Sequence, residues 1–322
     1  MTATGTVVGV DLGGTKIAVA LVAAGHEVLA RHRVPTPAGG PHAVVDAIVE
    51  AVAAVGGAPG HVGVGAPGPI MDGVVMTAPN LPGWREPFPL ADRLTDRLER
   101  PVTVGNDANV GTLGEWAAGA GRGSRFMLGV WLGTGVGGGL VLDGRPYDGA
   151  FGGGGEFGHV CVRQGGALCG CGRRGCVEAY AGRACMEQAV ATAASQGHPT
   201  ALLDIAREKG QGRVKSGTWA KALEQGDELA TRVLGEAVDA LGAAVGSAVN
   251  LLDLDRIVVG GGLTEKLGQD LADRVAAAAR PYMLVPGDRR VVVAELGDDS
   301  GVVGAAALAR AAAGASPAAF EG

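Results

Sequence analysis

A short glycine-rich segment of the chain carries four side chains of the types that coordinate zinc. One histidine and three cysteines follow each other with nine, one and four intervening residues, as His159, Cys169, Cys171 and Cys176. Four such ligands complete a tetrahedral shell and leave no open position for chemistry, so the metal would be structural. The alternative is a core histidine beside unrelated buried thiols. The compact spacing favours a structural Zn²⁺ site.

A second segment combines groups that suit phosphate. It runs Asp11-Leu-Gly-Gly-Thr-Lys16 and joins a carboxylate at a strand end to bare glycine backbone, a hydroxyl and an ammonium group. Backbone N–H groups in such turns bind phosphate oxygens, and carboxylates bind Mg²⁺. The alternative is an ordinary hairpin turn, which would not explain why a strand of buried type ends in Asp. The segment therefore predicts phosphate contact.

The segment Gly133-Thr-Gly-Val-Gly-Gly-Gly139 contains the G-x-G-x-x-G pattern of dinucleotide sites. That fingerprint must open a helix, whereas the residues that follow it, 140–144, predict a strand and a turn. A second phosphate turn is therefore the better interpretation. The P-loop pattern G-x-x-x-x-G-K-[ST] is absent from the sequence, which argues against a P-loop NTPase.

The segment Asn106-Asp-Ala-Asn109 lies where a strand gives way to a helix. Asp107 could simply cap that helix, which is a common use of Asp at such a place. It could instead be a general base, because phosphoryl transfer needs a carboxylate within reach of the attacking hydroxyl. Asn106 could then bond a neighbouring hydroxyl. Glu156 and Glu178 could form a glycosidase acid pair, but two phosphate turns would then have no purpose.

The composition excludes several classes of partner. The chain has 322 residues, 47% hydrophobic and 19% charged, which is typical of an ordered protein large enough for two lobes. Its net charge of −6 provides no basic surface for nucleic acid or an anionic membrane. The sequence has no signal-peptide pattern and no run near the roughly eighteen apolar residues of a membrane span. The five cysteines fit a reducing compartment, so we expect a cytoplasmic protein.

Strands that alternate with helices predict an α/β fold. We expect strands over residues 6–11, 16–23, 62–64, 102–104, 127–132, 256–259 and 290–294, and helices over 41–55, 228–252 with Asp227 as N-cap, 264–279 and 301–313. Residues 9–13 and 129–133 match at four of five positions, and each segment precedes another strand. This repeat predicts two related α/β lobes, residues 1–120 and 121–322, with the zinc loop in the second. The last helix could pack back on the first lobe.

Together these segments resemble the ROK family of bacterial sugar kinases, repressors and open reading frames, and within it the ATP-dependent glucokinase type. The resemblance covers nearly the whole chain. It implies a two-lobed, actin-like ATPase fold of the duplicated ribonuclease H-like type with a zinc-binding loop. The motifs that carry it are those above together with Ala78-Pro-Asn-Leu81 and Trp84, Gly155-Glu-Phe-Gly-His159, the cysteine cluster with Glu178, and Val249-Asn-Leu-Leu252 leading into Val258-Val-Gly-Gly-Gly262.

The same resemblance assigns roles to individual residues, with Asp107 as catalytic base. Sugar hydroxyls would contact Asn80, Asn106, Asp107, Glu156, His159 and Glu178. Mg-ATP would be held by Asp11, Gly13, Gly14, Thr15, Lys16, Thr134, Gly135, Gly261 and Gly262. Structural Zn²⁺ would be bound by His159, Cys169, Cys171 and Cys176. One departure is the glycine-rich run 151–155, where an alanine often stands near Gly154, so we expect a looser loop there.

The resulting expectation is phosphorylation of glucose at its 6-hydroxyl by Mg-ATP. Another hexose, an N-acetylhexosamine or a cyclitol remains an alternative acceptor. A sugar sensor that does not bind DNA is a second alternative, although the presence of both Asp11 and Asp107 argues against it. A DNA-binding repressor would need a helix-turn-helix before the first phosphate turn, where the sequence has ten residues, so we expect no nucleic-acid partner. The family resemblance implies a homo-oligomer, either a dimer or a tetramer.

Overall fold

A computed structural model describes residues 5–57 and 60–314. The strands are β1 (Val7–Leu12), β2 (Lys16–Val22), β3 (Val28–Pro35), β4 (Val62–Ala66), β5 (Ile70–Met71), β6 (Val74–Val75), β7 (Val102–Asn106), β8 (Phe126–Leu132), β9 (Val136–Leu142), β10 (Arg145–Pro146), β11 (Arg256–Gly260) and β12 (Arg290–Val293). The helices are α1 (Pro41–Val55), α2 (Leu90–Leu98), α3 (Asp107–Ala118), α4 (Glu178–Ala181), α5 (Arg183–Ser195), α6 (Ala201–Glu208), α7 (Ser216–Glu224), α8 (Glu228–Leu252), α9 (Gly262–Leu267), α10 (Gln269–Ala279) and α11 (Ser300–Ala312).

The chain divides into two compact units, and each is assembled from separate stretches of sequence. The first unit comprises Met1–Gly129, Gly139–Gly155 and Glu295–Gly322. The second unit comprises Val130–Gly138 and Glu156–Ala294. Across the parts of the chain that the structure describes, no helix is both long and apolar enough to cross a membrane.

The first unit is built on a five-stranded mixed sheet in the order β3-β2-β1-β4-β7. The strands β1, β4 and β7 run parallel, and β1-β2-β3 form antiparallel hairpins. Alternate residues of β1 face opposite sides of the sheet. Val8, Val10 and Leu12 enter a core with α1 and α2, whereas Val7 packs with α11. The same alternation turns Asp11 toward α11.

Helix α11 lies unusually close to this sheet because glycines replace side chains at the contact. A Cβ on Gly9 would lie 1.9 Å from the carbonyl oxygen of Val302, and one on Gly63 would lie 1.8 Å from that of Ala305. A Cβ on Gly304 would likewise meet the carbonyl oxygen of Val110 in α3 at 1.8 Å. Only glycine permits backbones to approach this closely. The last helix is therefore a structural part of the first unit.

A buried carboxylate joins α3 to the start of α11. Glu115 is completely buried and accepts four hydrogen bonds. Its donors are the backbone amides of Ala120, Glu295 and Leu296 and the hydroxyl of Ser300, at 2.9 to 3.0 Å. A buried charge is tolerated only when it is hydrogen-bonded in this way. Glu115 therefore joins the end of α3, which begins at Asp107, to the start of α11, which lies against Asp11.

The second five-stranded sheet has the order β10-β9-β8-β11-β12. If the strands of each sheet are numbered along the chain, both sheets have the order third-second-first-fourth-fifth. The second unit contains the long helix α8, whose N-cap Asp227 accepts a 2.9 Å hydrogen bond from the amide of Ala230. Helix α10 packs on α8, where a Cβ on Gly242 would meet Ala278 at 2.6 Å.

Most predicted elements are confirmed with small changes at their ends, including α1, α8 with its Asp227 cap, and α11. One predicted helix is wrong in its continuity. Residues 264–279 do not form a single helix, because Gly268 adopts a left-handed φ of 64° and separates α9 from α10. A glycine inside a helical pattern is compatible with either outcome, and here it ends one helix before the next begins.

Candidate active site

The first predicted phosphate turn is the exposed β1–β2 connection. The amide of Gly13 donates to the carbonyl oxygen of Lys16 at 3.0 Å. Thr36, which follows β3, also holds the turn, because its hydroxyl donates to the carbonyl oxygen of Gly13 at 2.6 Å. A Cβ on Gly14 would lie 2.9 Å from the carbonyl oxygen of Asn80. The structure therefore brings the turn and the Asn80 loop together within the first unit, and the loop contact requires glycine.

Asp11 lies beside this turn and against the first residues of α11. A Cβ on Gly301 would lie 2.6 Å from the Asp11 carboxyl carbon. Burial raises the pKa of Asp11; the positive charges of Lys16 and Arg33 oppose this rise, and the negative charge of Asp298 adds to it. A divalent cation held here would favour the ionised carboxylate. The residues at the turn thus suit a metal–phosphate group.

Lys16 is engaged in an exposed ion pair. Its Nζ lies 3.0 Å from Asp298, which also lies 3.4 Å from Arg33. The side chains of Lys16 and Asp298 are 46% and 61% exposed, so water screens the pair and its contribution to stability is small. Lys16 can therefore exchange this carboxylate for a phosphate at little cost. Sequence reasoning missed Asp298, because its distance along the chain hides the contact.

At the start of α3, the residue that caps the helix is not the predicted general base. Asn106 is the N-cap, and its side-chain oxygen accepts from the amides of Ala108 and Asn109 at 3.0 and 3.2 Å. Its amide nitrogen donates to the carbonyl oxygen of Gly68 at 3.1 Å. Asp107 is the exposed first residue of the helix, and one of its oxygens accepts from the Ala108 amide at 2.8 Å. The N-cap position is thus occupied by Asn106 rather than Asp107.

Two residues to which the sequence analysis gave no role, Asn109 and Asp148, hold the glycine-rich loop before Glu156. The buried Asn109 donates its side-chain amide to Asp148 at 3.1 Å and to the carbonyl oxygen of Gly154 at 3.2 Å. The amide of Gly154 also donates to the carbonyl oxygen of Asp148 at 2.7 Å. A Cβ on Gly154 would lie 2.6 Å from backbone atoms of this loop. The loop that we expected to be looser is therefore closed by several hydrogen bonds, and glycine is what permits the closure.

Two cavities of the first unit adjoin predicted sugar residues. One has a volume of about 300 Å³ and is lined by the β5–β6 hairpin, by Asn106 and Asn109, and by residues 148–152. The other, of about 680 Å³, is lined by residues 77–85, which include Asn80. The fully buried Trp84 anchors this second loop and meets Phe88 edge-on at 5.5 Å. Both cavities therefore place polar groups of predicted sugar residues beside open space.

In the second unit, the turn at residues 133–135 is braced from two sides. Glu178 accepts a 2.9 Å hydrogen bond from the amide of Val136, and a Cβ on Gly135 would lie 2.1 Å from the same carboxylate oxygen. From the other side, the amide of Ala184 donates to the carbonyl oxygen of Thr134 at 3.0 Å. The second turn is therefore held in one conformation by α4 and α5.

The four predicted zinc ligands converge. Their ligand atoms all lie within 4.8 Å of one another, with 3.8 Å between His159 Nδ1 and Cys169 Sγ and 3.8 Å between the sulfurs of Cys171 and Cys176. A tetrahedral site with Zn–S bonds of about 2.3 Å requires sulfur atoms about 3.8 Å apart. The donor set and its spacing therefore fit Zn²⁺. Burial raises the pKa of the Cys169 thiol to about 12, so a metal would have to displace its proton.

The cluster also orients predicted sugar ligands. His159 directs Nδ1 toward Cys169, while its Nε2 lies 3.9 Å from a carboxylate oxygen of Glu156. Glu178 lies 3.5 Å from the Cys169 sulfur through one oxygen and holds the second turn through the other. A ligand histidine is fixed in tautomer and orientation when its second nitrogen donates to a carboxylate, and 3.9 Å is longer than such a bond. The metal site and the second turn are therefore connected through Glu178, and Glu156 lies beside His159.

The predicted adenosine contacts lie at the β11–α9 junction of the second unit. Gly261 has a φ of 94°, and a Cβ there would lie 2.5 Å from the carbonyl oxygen of Leu132. The Cβ position of Gly262 lies 3.1 Å from the Ser216 hydroxyl. Arg183 donates to this hydroxyl at 3.1 Å and to that of Thr134 at 3.3 Å. Sequence reasoning missed Arg183 and Ser216, since neither belongs to a motif.

The predicted site residues thus form two groups, one in each unit. Asp11, the first turn, Asn80, Asn106 and Asp107 belong to the first unit. The second turn, Glu156, His159, Glu178, the cysteines, Gly261 and Gly262 belong to the second unit.

Comparison with known proteins defines the class of this site. The chain belongs to the ROK family, whose model matches residues 7–312. It is 38% identical over 317 residues to a glucokinase of Streptomyces coelicolor, covering 95% of this chain and 98% of the relative. It is 33% identical over 316 residues to an N-acetyl-D-glucosamine kinase of Escherichia fergusonii, covering 93% and 98%. A ROK glucokinase structure from Streptomyces griseus, in complex with glucose and AMPPNP, matches with a TM-score of 0.80 and 35% identity, covering 95% of this chain and 100% of that one.

Proposed function

We propose that the protein is an ATP-dependent glucokinase, which transfers the terminal phosphoryl group of Mg-ATP to the 6-hydroxyl of glucose. The observation that carries this proposal is the exposed carboxylate of Asp107 at the start of α3, where Asn106 supplies the cap. The 38% identity to a glucokinase over 95% of the chain supports the reaction, and the glucose and AMPPNP in the related structure support the substrates.

Asp107 would act as general base on the sugar hydroxyl. Phosphoryl transfer needs little covalent help from a protein, so positioning and charge neutralisation dominate its catalysis. Mg²⁺, when bound, would neutralise charge on the phosphates. The turn from Gly13 to Lys16, with Asp11 beside it, and the turn at Thr134 and Gly135 would hold the donor. Gly261 and Gly262 would adjoin the adenosine.

The sugar would be held by polar groups on rigid supports. Asn80, Asn106, Glu156, His159 and Glu178 would bond sugar hydroxyls. A structural Zn²⁺ on His159 and the three cysteines would orient the His159 ring by coordinating it directly. The support for the metal is the convergence of the four ligand atoms, which all lie within 4.8 Å of one another.

A second acceptor deserves a test because a relative at 33% identity is an N-acetyl-D-glucosamine kinase. Epimers and substituted sugars differ by one or two hydrogen bonds, and discrimination among them depends on loop geometry. The purified protein should therefore be assayed with Mg-ATP and glucose, mannose, fructose, N-acetylhexosamines and a cyclitol. We expect the highest kcat/KM with glucose and a 6-phosphate as the product identified by NMR. A higher kcat/KM with an N-acetylhexosamine would replace glucose as the acceptor.

We further propose the two-lobed, actin-like fold of the duplicated ribonuclease H-like type, with lobes at residues 1–120 and 121–322 and the last helix returned to the first. The shared strand order of the two five-stranded sheets supports the duplication. The packing of α11 on β1 and β4 supports the assignment of the last helix to the first lobe. A homo-oligomer, dimer or tetramer, is proposed from the family resemblance and is measurable by light scattering. Five free thiols support the cytoplasm as location.

A further inference from the structure

Arg183 is the first residue of α5, and the start of this helix is bonded directly to the second phosphate turn. The amide of Arg183 donates to the carbonyl oxygen of Gly133 at 3.3 Å, and the next amide donates to that of Thr134 at 3.0 Å. Two successive hydrogen bonds leave little freedom between helix and turn. The side chain of Arg183 therefore has a fixed origin relative to the turn.

The guanidinium group bonds only neutral partners in the described structure. It donates to the hydroxyls of Ser216 at 3.1 Å and Thr134 at 3.3 Å. Among residues 5–57 and 60–314, the ion pairs do not include Arg183. Guanidinium is strongly suited to planar, bidentate pairing with carboxylate or phosphate, and these two hydroxyls use only part of its donor capacity.

The position is also unfavourable for a cation in the absence of an anion. The N-terminal end of a helix carries partial positive charge, which repels Arg and attracts anions. The first turn of α5 contains no acidic residue that would compensate. The nearest acidic residue of the helix, Glu187, accepts a hydrogen bond from the amide of Val214 instead. A partly buried cation held by hydroxyls beside a glycine turn thus has no ion-pair partner among the described residues, and the Glu178 carboxylate at the same turn accepts from the Val136 amide instead.

We propose that Arg183 binds a non-transferred phosphate of the nucleotide donor, and that Thr134 and Ser216 hold the guanidinium toward the second turn. This inference rests on the proposed kinase function and adds a cationic donor contact to it. Ser216 also adjoins Gly262, the proposed adenosine contact, so one hydroxyl links the phosphate and nucleoside ends of the donor site. The ligand class is a nucleoside di- or triphosphate with its magnesium ion.

The test is direct nucleotide binding by titration calorimetry with Mg-ADP and Mg-AMPPNP in the absence of sugar. Arg183→Gln should weaken nucleotide binding by about tenfold or more, because a charge-assisted bond is lost. Arg183→Lys should fall between the wild type and Arg183→Gln, since it keeps the charge without the planar fork. Arg232→Gln, at an exposed position of α8, is the matched control and should bind like the wild type.

A purely structural role predicts a different pattern. Ser216→Ala removes one partner of the guanidinium, so a structural Arg183 would make both Ser216→Ala and Arg183→Gln lower the thermal midpoint alike. The proposal instead expects unchanged midpoints, nearly normal glucose affinity and a selective rise in the KM for ATP in Arg183→Gln. Nucleotide affinity within twofold of the wild type in Arg183→Gln would overturn the proposal. Absence of sugar phosphorylation would contradict only the proposed function. A wild-type chain that binds no nucleotide would contradict both the proposed function and the role of Arg183.

Discussion

Replacement of Glu115 by Gln should substantially destabilise the first unit while it preserves the size of the side chain. One carboxylate oxygen accepts from the amides of Ala120 and Glu295, and the other accepts from the amide of Leu296 and the hydroxyl of Ser300. A glutamine offers an acceptor to only one of these pairs. Its NH₂ group would turn toward Ser300, because a hydroxyl can rotate and accept.

The magnitude follows from the bonds that remain. The partly buried amide of Leu296 would lose its acceptor, which costs about 1–3 kcal/mol. The two bonds to the other oxygen would lose their ionic character, at about 0.5–1 kcal/mol each. The lower desolvation cost of an amide offsets part of this loss. We therefore expect Glu115→Gln to lower the free energy of unfolding by about 2–3 kcal/mol.

Urea unfolding followed by tryptophan fluorescence and by circular dichroism measures this change, and coincident transitions would justify two-state treatment. Glu236→Gln is the matched control, because Glu236 is exposed on α8 and its replacement should alter stability by less than about 0.5 kcal/mol. If the two variants lose equally little stability, Glu115 does not join the end of α3 to the start of α11 as described.

Three further predictions concern the glycine loop, the metal and pH. Gly154→Ala should raise the KM for glucose several-fold and leave the KM for ATP unchanged in steady-state assays, because the new Cβ would lie 2.6 Å from the loop backbone. Gly153→Ala is the control and should match the wild type, because nothing lies within 4 Å of its Cβ. Cys176→Ser should lose the zinc found by elemental analysis and weaken glucose binding, whereas Cys185→Ser should retain both; equal zinc in the two variants would contradict the assignment. Burial opposes ionisation of Asp227, but hydrogen bonds to three backbone amides and a hydroxyl outweigh burial and lower its pKa. Its folded-state pKa lies below the unfolded one, so the stabilisation is present above the unfolded pKa of about 4 and lost as pH falls through the folded pKa. Asp227→Asn should remove that acid-side dependence in urea titrations, and an unchanged dependence would refute the linkage.

Local motifs made much of the candidate site predictable from the sequence. The zinc ligands form a compact run, and the composition of the glycine turns is distinctive. The residues of both could therefore be named from the sequence. The cap of α8 was predictable for the same reason, because Asp227 directly precedes a long amphipathic pattern. Each of these features depends on neighbours in sequence.

The missed contacts depend on residues that are distant in sequence. Glu115 looks like an ordinary helical residue until its bonds to residues 295, 296 and 300 are known. Arg183 follows the cysteine cluster without a motif of its own, and its proximity to Thr134 arises only when α5 is bonded to the second turn. The break at Gly268 was hidden because a glycine inside a helical pattern can either continue or end a helix.

The exposed carboxylate of Asp107 is central to the proposed reaction, and its replacement by Asn tests that role most directly. Asparagine keeps the shape of the side chain but cannot accept the proton of the sugar hydroxyl. The kcat for glucose should fall by about 10²- to 10⁴-fold in Asp107→Asn, while calorimetry should show glucose and Mg-ADP affinities close to those of the wild type. Asp96→Asn, on the exposed face of α2, supplies the control. A kcat within a few-fold of the wild type in Asp107→Asn would contradict the assignment of Asp107 as general base.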